Sequence, residues 1–158
     1  MAEASGRAEG ERRDSAILET LTFRLIVLMN LMTRPFAETH GALHGLSLSE
    51  WRCLMWLAGV PGVSGEDTAS GTGMDRMSVS RALRALEGRG LLERRADPRN
   101  RRRSEWRLTA AGWAIYEAIA PAALARDQDL TAGLSAEERD VLHNAIEAAI
   151  DSLRRAQG

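Results

Sequence analysis

The stretch from Ser64 to Thr109 constrains the fold of this chain more than any other part, because it sets a short helix, a glycine turn, an amphipathic helix and a hairpin in direct succession. Ser64 and Asp67 have the spacing of a capping box. They open a poor helix, with Gly65 and Gly71 inside or beside it. Gly73 separates this element from MDRMSVSRALRALEGRG, which reads as a well-formed helix closed by Gly90. At about 100° per residue, Val79, Ala82, Leu83 and Leu86 share one face, Met77, Arg81, Arg84 and Gly88 lie opposite, and Ser80 sits on the flank. Next come two strand-like runs, LLERR and RRSEWRL, separated by ADPRNR. Asp97, Pro98 and Asn100 are turn formers, so the pair predicts a hairpin with a very basic tip.

Charge follows the same layout. The chain of 158 residues has a net charge of −1, which by itself argues against a polyanionic partner. Between Asp75 and Arg107, however, 11 arginines face five acidic residues, a local charge of +6. A basic block in an otherwise acidic chain is the electrostatic footprint of a phosphate-binding surface. The alternative is an ordinary solvated face.

The flanks read as helices. From Ser15 to about Thr39, Leu18, Leu21, Leu25, Leu28, Met29 and Met32 recur at helical spacing, and Pro35 is expected to kink or end that helix. Ser47 and Ser49 both offer N-caps for a helix carrying Trp51, Leu54, Met55 and Leu57, stopped at Gly59 and Pro61. Thr109 caps a helix expected to kink at Pro121, and Ser135 with Glu138 forms a further capping box before a last helix striped by Leu142, Ile146, Ile150 and Leu153. The fold class expected is mostly α with one small β-hairpin, a winged helix-turn-helix between N- and C-terminal helices. Residues 1–13 read as a disordered tail and 14–158 as a single domain.

Several function classes find no support. The apolar run Leu25 to Met29 is far too short for a membrane span, and charges occupy the place of a signal peptide's apolar stretch, so a cytoplasmic protein is expected. The lone cysteine, Cys53, excludes an intrachain disulfide. There is no Gly-rich phosphate loop, no Ser/His/Asp set and no His/Cys cluster of metal-enzyme spacing, so neither enzyme activity nor a cofactor is expected.

Mechanically, an amphipathic helix with outward Arg and Ser can enter the major groove of duplex DNA, which is about 12 Å wide, while a basic hairpin reaches the backbone or the minor groove. Here the chain resembles the MarR family (multiple antibiotic resistance regulators). The residues that carry the resemblance are SLSEWRCLMWL, GMDRMSVSRALRALEGRGLLER and DPRNRRRSEWRLT ahead of AAG, from about Leu46 to Thr109. It implies a DNA-binding lobe over 47–108 and dimerisation helices over 14–46 and 109–158. Ser78, Ser80, Arg81 and Arg84 then take recognition-helix positions, with Arg76 and Met77 beside them, and Arg101 and Arg102 take wing positions, with Arg99 and Arg103 beside them. It further implies a homodimer on a pseudo-palindromic operator, acting as a repressor released by a small aromatic or amphipathic effector. Two positions depart from the family's pattern: Asn100 stands where an Asp usually pairs with the Arg at 102, and Thr68 where the short helix usually carries Leu.

Other residues admit two readings. Cys53 is either an oxidation sensor or a small core residue; only Arg52 is near in sequence to depress its pKa, and its place between Trp51 and Leu54 favours the core. His40 and His44, spaced i, i+4 with Glu38 nearby, and His143 in the last helix invite a metal, but Gly41, Gly45 and the lack of a Cys partner count against one. Met29, Met32, Trp56, Trp113 and Tyr116 either line an effector pocket or fill the dimer core. From another class altogether, the chain could be a helical dimerisation module whose winged domain binds protein.

Overall fold

The computed structural model describes residues 16–96 and 104–157. The elements are α1 (Leu21–Phe36), α2 (Leu48–Gly59), α3 (Gly65–Thr72), α4 (Arg76–Gly88), β1 (Leu92–Ala96), β2 (Ser104–Leu108), α5 (Ala110–Thr131) and α6 (Ala136–Gln157). They fall into two compact units, one ending at Ile119 and the other beginning at Ala120. The fold is mostly helical with a two-stranded antiparallel hairpin, as the residue pattern predicts.

Caps explain where the helices start. Ser47, not Ser49, begins α2: its side chain accepts from the Glu50 amide while the Glu50 carboxylate accepts from the Ser47 amide at 2.6 Å. Ser64 and Asp67 do the same for α3, and Ser135 and Glu138 for α6. Each reciprocal pair satisfies amide donors that the first helical turn leaves without partners. Thr109 caps α5 by accepting from the Gly112 amide and donating to the Gly90 carbonyl at 2.7 Å. Gly112 itself is buried where the chain crosses Leu91, and an added Cβ there would overlap the Leu91 carbonyl. Only glycine lets α5 start so close to the hairpin.

Pro35, expected to kink or end its helix, lies one residue before the regular α-helix gives way. The regular α-helix ends at Phe36, and the helical path goes on through a wider π-helical turn, Ala37–Gly41, and a last turn, Ala42–His44. Proline has no N–H to give back to the preceding turn, and a shift to the i→i+5 pattern is one way a helix absorbs the defect. Gly45, at φ 59°, then ends the path in the left-handed region.

The core of the first unit lies among α2, α3, α4 and the hairpin. Leu54, Leu57, Leu83 and Leu86 are wholly or almost wholly buried, with Val79, Leu92, Trp106 and Leu108 beside them. Thr68 is fully buried too, and its hydroxyl donates to the Ser64 carbonyl at 2.8 Å, so the polar group that replaces an aliphatic one is satisfied within its own helix. On the hairpin, Glu93 faces Arg107 and Arg95 faces Glu105 across the ladder. Val63 adds a bridge to Trp106, through the Trp106 amide at 2.9 Å, which locks the α2–α3 connection onto β2. No described helix is long and apolar enough to cross a membrane.

Candidate nucleic-acid interface

Helix α4 is the element on which the site is built. Its buried residues are Val79, Ala82, Leu83 and Leu86, which anchor it on the core. The opposite face presents Arg76, Met77, Arg81 and Arg84 to solvent, with Ser78 and Ser80 half-buried at its sides. Met77 is 70% exposed on this face.

The N-terminus of α4 is organised by a short polar chain. The Asp75 carboxylate accepts from the Ser78 amide at 2.8 Å, and Arg81 donates to the Ser78 hydroxyl at 3.3 Å. Hydrogen bonds from the Ser78 hydroxyl and amide, with Arg81 nearby, hold the Asp75 carboxyl below its usual range. Arg81 is thereby aimed along the first turn of the helix. An open groove of about 320 Å³ joins Ser78 and Arg81 to Ser47 and Ser49 at the start of α2.

On the other side, a groove of about 530 Å³ runs between α4 and the hairpin, with Arg76, Arg84 and Arg94 along it and Leu83 and Trp106 as its floor. Arg94 lies 6.0 Å from the centre of the Trp106 ring, in cation–π range. Arg76 donates to Glu66 of α3 at 2.6 Å. Ser64, Glu66 and Arg94 are additions to the residues expected from sequence; the LLERR run carried the signal for Arg94, but nothing local marks Glu66. Arg99, Arg101, Arg102 and Arg103, expected at the wing tip, lie outside the described residues.

The position of α4 is held from behind. Arg89, at its C-terminal end, donates to the carbonyls of His44 at 2.6 Å and Gly45 at 2.7 Å and lies 3.9 Å from the buried Glu50 carboxylate. One side chain thus joins the end of α4 to the end of the first helical path and the start of α2.

Of the aromatic residues expected near an effector, the structure brings Trp113 and Tyr116 together edge to face, 5.7 Å between centres. Tyr116 also stacks on Trp51 at 5.9 Å, and Trp51 on Phe36 at 6.0 Å. Trp56 lies elsewhere, against Gly71 of α3, where an added Cβ would overlap its indole ring. Met29 is exposed and Met32 half-buried on α1.

Cys53 is fully buried, and its thiol is pushed up to about 11 by burial and, secondarily, by the Glu50 carboxylate. His40 and His44 stack in parallel with centres 6.4 Å apart, and Nδ1 of His40 is buried without a hydrogen-bond partner. His143 is exposed on α6. Among the described residues no three His, Cys, Asp or Glu side chains converge as a metal site would need.

A buried-face helix with an arginine-bearing outer face, preceded by a short helix and a glycine turn and followed by a basic hairpin, defines the class of winged helix-turn-helix proteins. The comparisons specify it further. The MarR family model matches residues 44–103. A Thauera aromatica protein assigned to transcriptional regulation of the hcr operon is 33% identical over 109 residues, 69% of this chain and 66% of that protein's length. A probable transcriptional regulator from Pseudomonas aeruginosa shares the fold with a TM-score of 0.71 at 27% identity, over 83% of this chain and 97% of its own. The PcaV transcriptional regulator from Streptomyces coelicolor, solved with its natural ligand, gives a TM-score of 0.69 at 25% identity, over 84% of this chain and 91% of its own. The chain belongs to the MarR family, whose members matched here are transcriptional regulators and not enzymes.

Proposed function

We propose that this protein is a homodimeric repressor that reads a pseudo-palindromic duplex operator in the cytoplasm and is released from it by a small aromatic or amphipathic effector. The observation that carries DNA reading is the two-faced α4, its Leu83 face buried and its Arg81 and Arg84 face turned to solvent beside the groove of the hairpin. In this reading residues 47–108 form the DNA-binding lobe, with Arg76, Met77, Ser78, Ser80, Arg81 and Arg84 entering the major groove. The wing arginines at 99, 101, 102 and 103 grip the flanks. Segments 14–46 and 109–158 dimerise, supported by the apolar side chains that a single chain leaves exposed on α1 and α6.

An effector is supported by the ladder of rings from Phe36 through the buried Trp51 and then Tyr116 to Trp113, whose Trp113 end is 39% exposed. The PcaV regulator, solved with its natural ligand, supports ligand control in a relative. Effector binding would act by shifting the population between dimers whose reading heads match the operator and dimers whose heads do not.

Selection of bound sequences from a random duplex pool by the purified protein tests this reading. The expected result is an enriched inverted repeat with half-sites about one helical turn apart, and affinity that falls steeply with salt. No enrichment, with binding insensitive to salt, would favour the protein-binding alternative.

A further inference from the structure

Helix α4 meets both of its flanking segments at its C-terminal end. Thr109, at the start of α5, donates its hydroxyl to the Gly90 carbonyl at 2.7 Å and its amide to the Leu91 carbonyl at 3.1 Å. Arg89 reaches the other way, to the carbonyls of His44 at 2.6 Å and Gly45 at 2.7 Å.

What Arg89 spans is a joint. Gly45 and Leu46 alone separate the last turn of the first helical path from Ser47, the cap of α2. Gly45 is exposed and sits at φ 59°, a conformation that glycine adopts without steric cost and that no side chain of its own braces. The Leu46 amide donates to the Gly41 carbonyl at 2.8 Å, which closes the turn but does not reach α4. The stack of Phe36 on Trp51 holds α1 against α2 through an apolar contact, which has little directional preference of its own. Arg89 adds the directional contact, because a planar guanidinium forked onto two carbonyls fixes both distance and angle. On the α2 side of the joint the buried Glu50 carboxylate lies 3.9 Å from the same guanidinium. The Arg89 side chain is 37% exposed, so water weakens that ion pair and the two carbonyl bonds carry the grip.

We propose that Arg89 is a positioning residue for operator reading: it locks the angle between the first helical path and α4, and thereby fixes the spacing of the two reading helices in a dimer. A dimer held through the first helical path carries each α4 on the far side of this joint. A small change of angle there becomes a shift of the reading helix along the duplex, where one base pair occupies about 3.4 Å. The inference rests on the dimeric DNA-binding reading given above.

The test uses the full chain and inverted-repeat duplexes built on the half-site that the wild-type protein selects, with the spacer lengthened or shortened by single base pairs, beside a duplex holding one half-site. Arg89→Met keeps the length of the side chain and removes its donors. It should lose about tenfold in affinity at the best spacing, the weight of one charge-assisted hydrogen bond, and bind the single half-site within about twofold of wild type. The gap between the best spacing and its neighbours should narrow. A nitroxide on Met77→Cys, in a Cys53→Ala chain, reads the same geometry without DNA: the distance between the two labels of a dimer should be narrowly distributed with Arg89 and broadly with Arg89→Met. Arg89→Lys, whose ammonium cannot fork onto two carbonyls, should fall between, and it replaces Arg89→Met in both measurements if melting shows that variant unfolded. An unchanged spacing profile overturns the proposal. So does an equal loss on the single half-site, which would make Arg89 a phosphate contact or a residue of general stability. A wild-type protein with neither a label distance nor a preferred spacing would end the dimeric reading and the proposal with it, a result distinct from a variant that keeps both.

Discussion

Cys53 shows how a single residue's chemistry is set by its surroundings. Burial favours the neutral thiol, so the folded protein keeps that proton up to about 11, whereas an exposed thiol gives it up near 9. For an acid whose pKa is raised on folding, only the unfolded state gains from ionisation between those values. The contribution of Cys53 to stability is therefore constant below about pH 9 and declines as pH rises from there towards 11. With the thiol both buried and protonated, native protein at neutral pH should resist alkylation by iodoacetamide and react readily once unfolded. Fast labelling of the folded protein would restore the oxidation-sensor reading. Arginines differ by position in the same way. Arg84 is exposed on α4, where a bidentate contact to a guanine edge discriminates by roughly 1 to 3 kcal/mol, while Arg101 falls in the arginine-rich, turn-forming stretch of sequence between the two strand runs, a composition suited to backbone or minor-groove contact. Arg84→Ala should weaken a selected site more than random duplex; Arg101→Ala should weaken both alike and lower the salt slope by about 1. Equal losses in both variants, measured by titration against the two duplexes, would show that α4 does not read bases.

At the scale of elements, the start of α4 decides how its arginines are aimed. Asp75 caps the helix and, through Ser78, braces Arg81. Because the folded carboxyl titrates below its usual range, its contribution is present above the ordinary carboxylate pKa and is lost as pH falls through the lowered folded value. Asp75→Ala should thus lower the melting temperature at pH 7, and the difference from wild type should shrink as pH falls below the ordinary carboxylate range, where protonation strips the wild type of the same bonds. Melting curves of both proteins across that range check this, and a difference independent of pH would mean that the cap works without its charge. Helix α3 illustrates the opposite balance. Gly71 weakens it by roughly 1 kcal/mol relative to alanine in propensity, but any side chain there would collide with the Trp56 ring, so packing outweighs propensity.

For the whole molecule, the terminal segments are the open question that the single chain poses. Leu142, Ile146 and Ile150 of α6 remain 38%, 41% and 36% exposed, and Leu21, Leu25 and Met29 of α1 remain 70%, 42% and 44% exposed. Scattered apolar residues on a surface are ordinary, but stripes at helical spacing are the mark of an interface. Sedimentation should therefore find a dimer, and deletion from Ala136 onward should leave an unstable or aggregating protein. A soluble, well-folded monomer from that deletion would contradict dimerisation through these helices.

What was legible from the amino-acid sequence is what is governed within a few residues. The capping boxes at Ser64 and Ser135 close over three residues each, and the buried and exposed faces of α4 follow from the helical period alone; Ser47 and Ser49 were both legible as caps, and the structure chose Ser47. The MarR layout was legible for the same reason, since it is a succession of such local signals. Tertiary structure decided whatever depends on partners far along the chain. Trp51 and Trp56 are equally aromatic and share one helix, yet five residues turn them to different sides, and only the place of α5 determines that Trp51 meets Tyr116. Pro35 was expected to kink or end its helix, but how the path goes on from Phe36 through a π-helical turn is set by the packing around it. Arg89 finds its acceptors 44 and 45 residues earlier, and Glu66 finds Arg76 only after the Gly73 turn folds α3 back beside α4. Such pairs form after loops close and cores pack, and no period or cap within the sequence announces them.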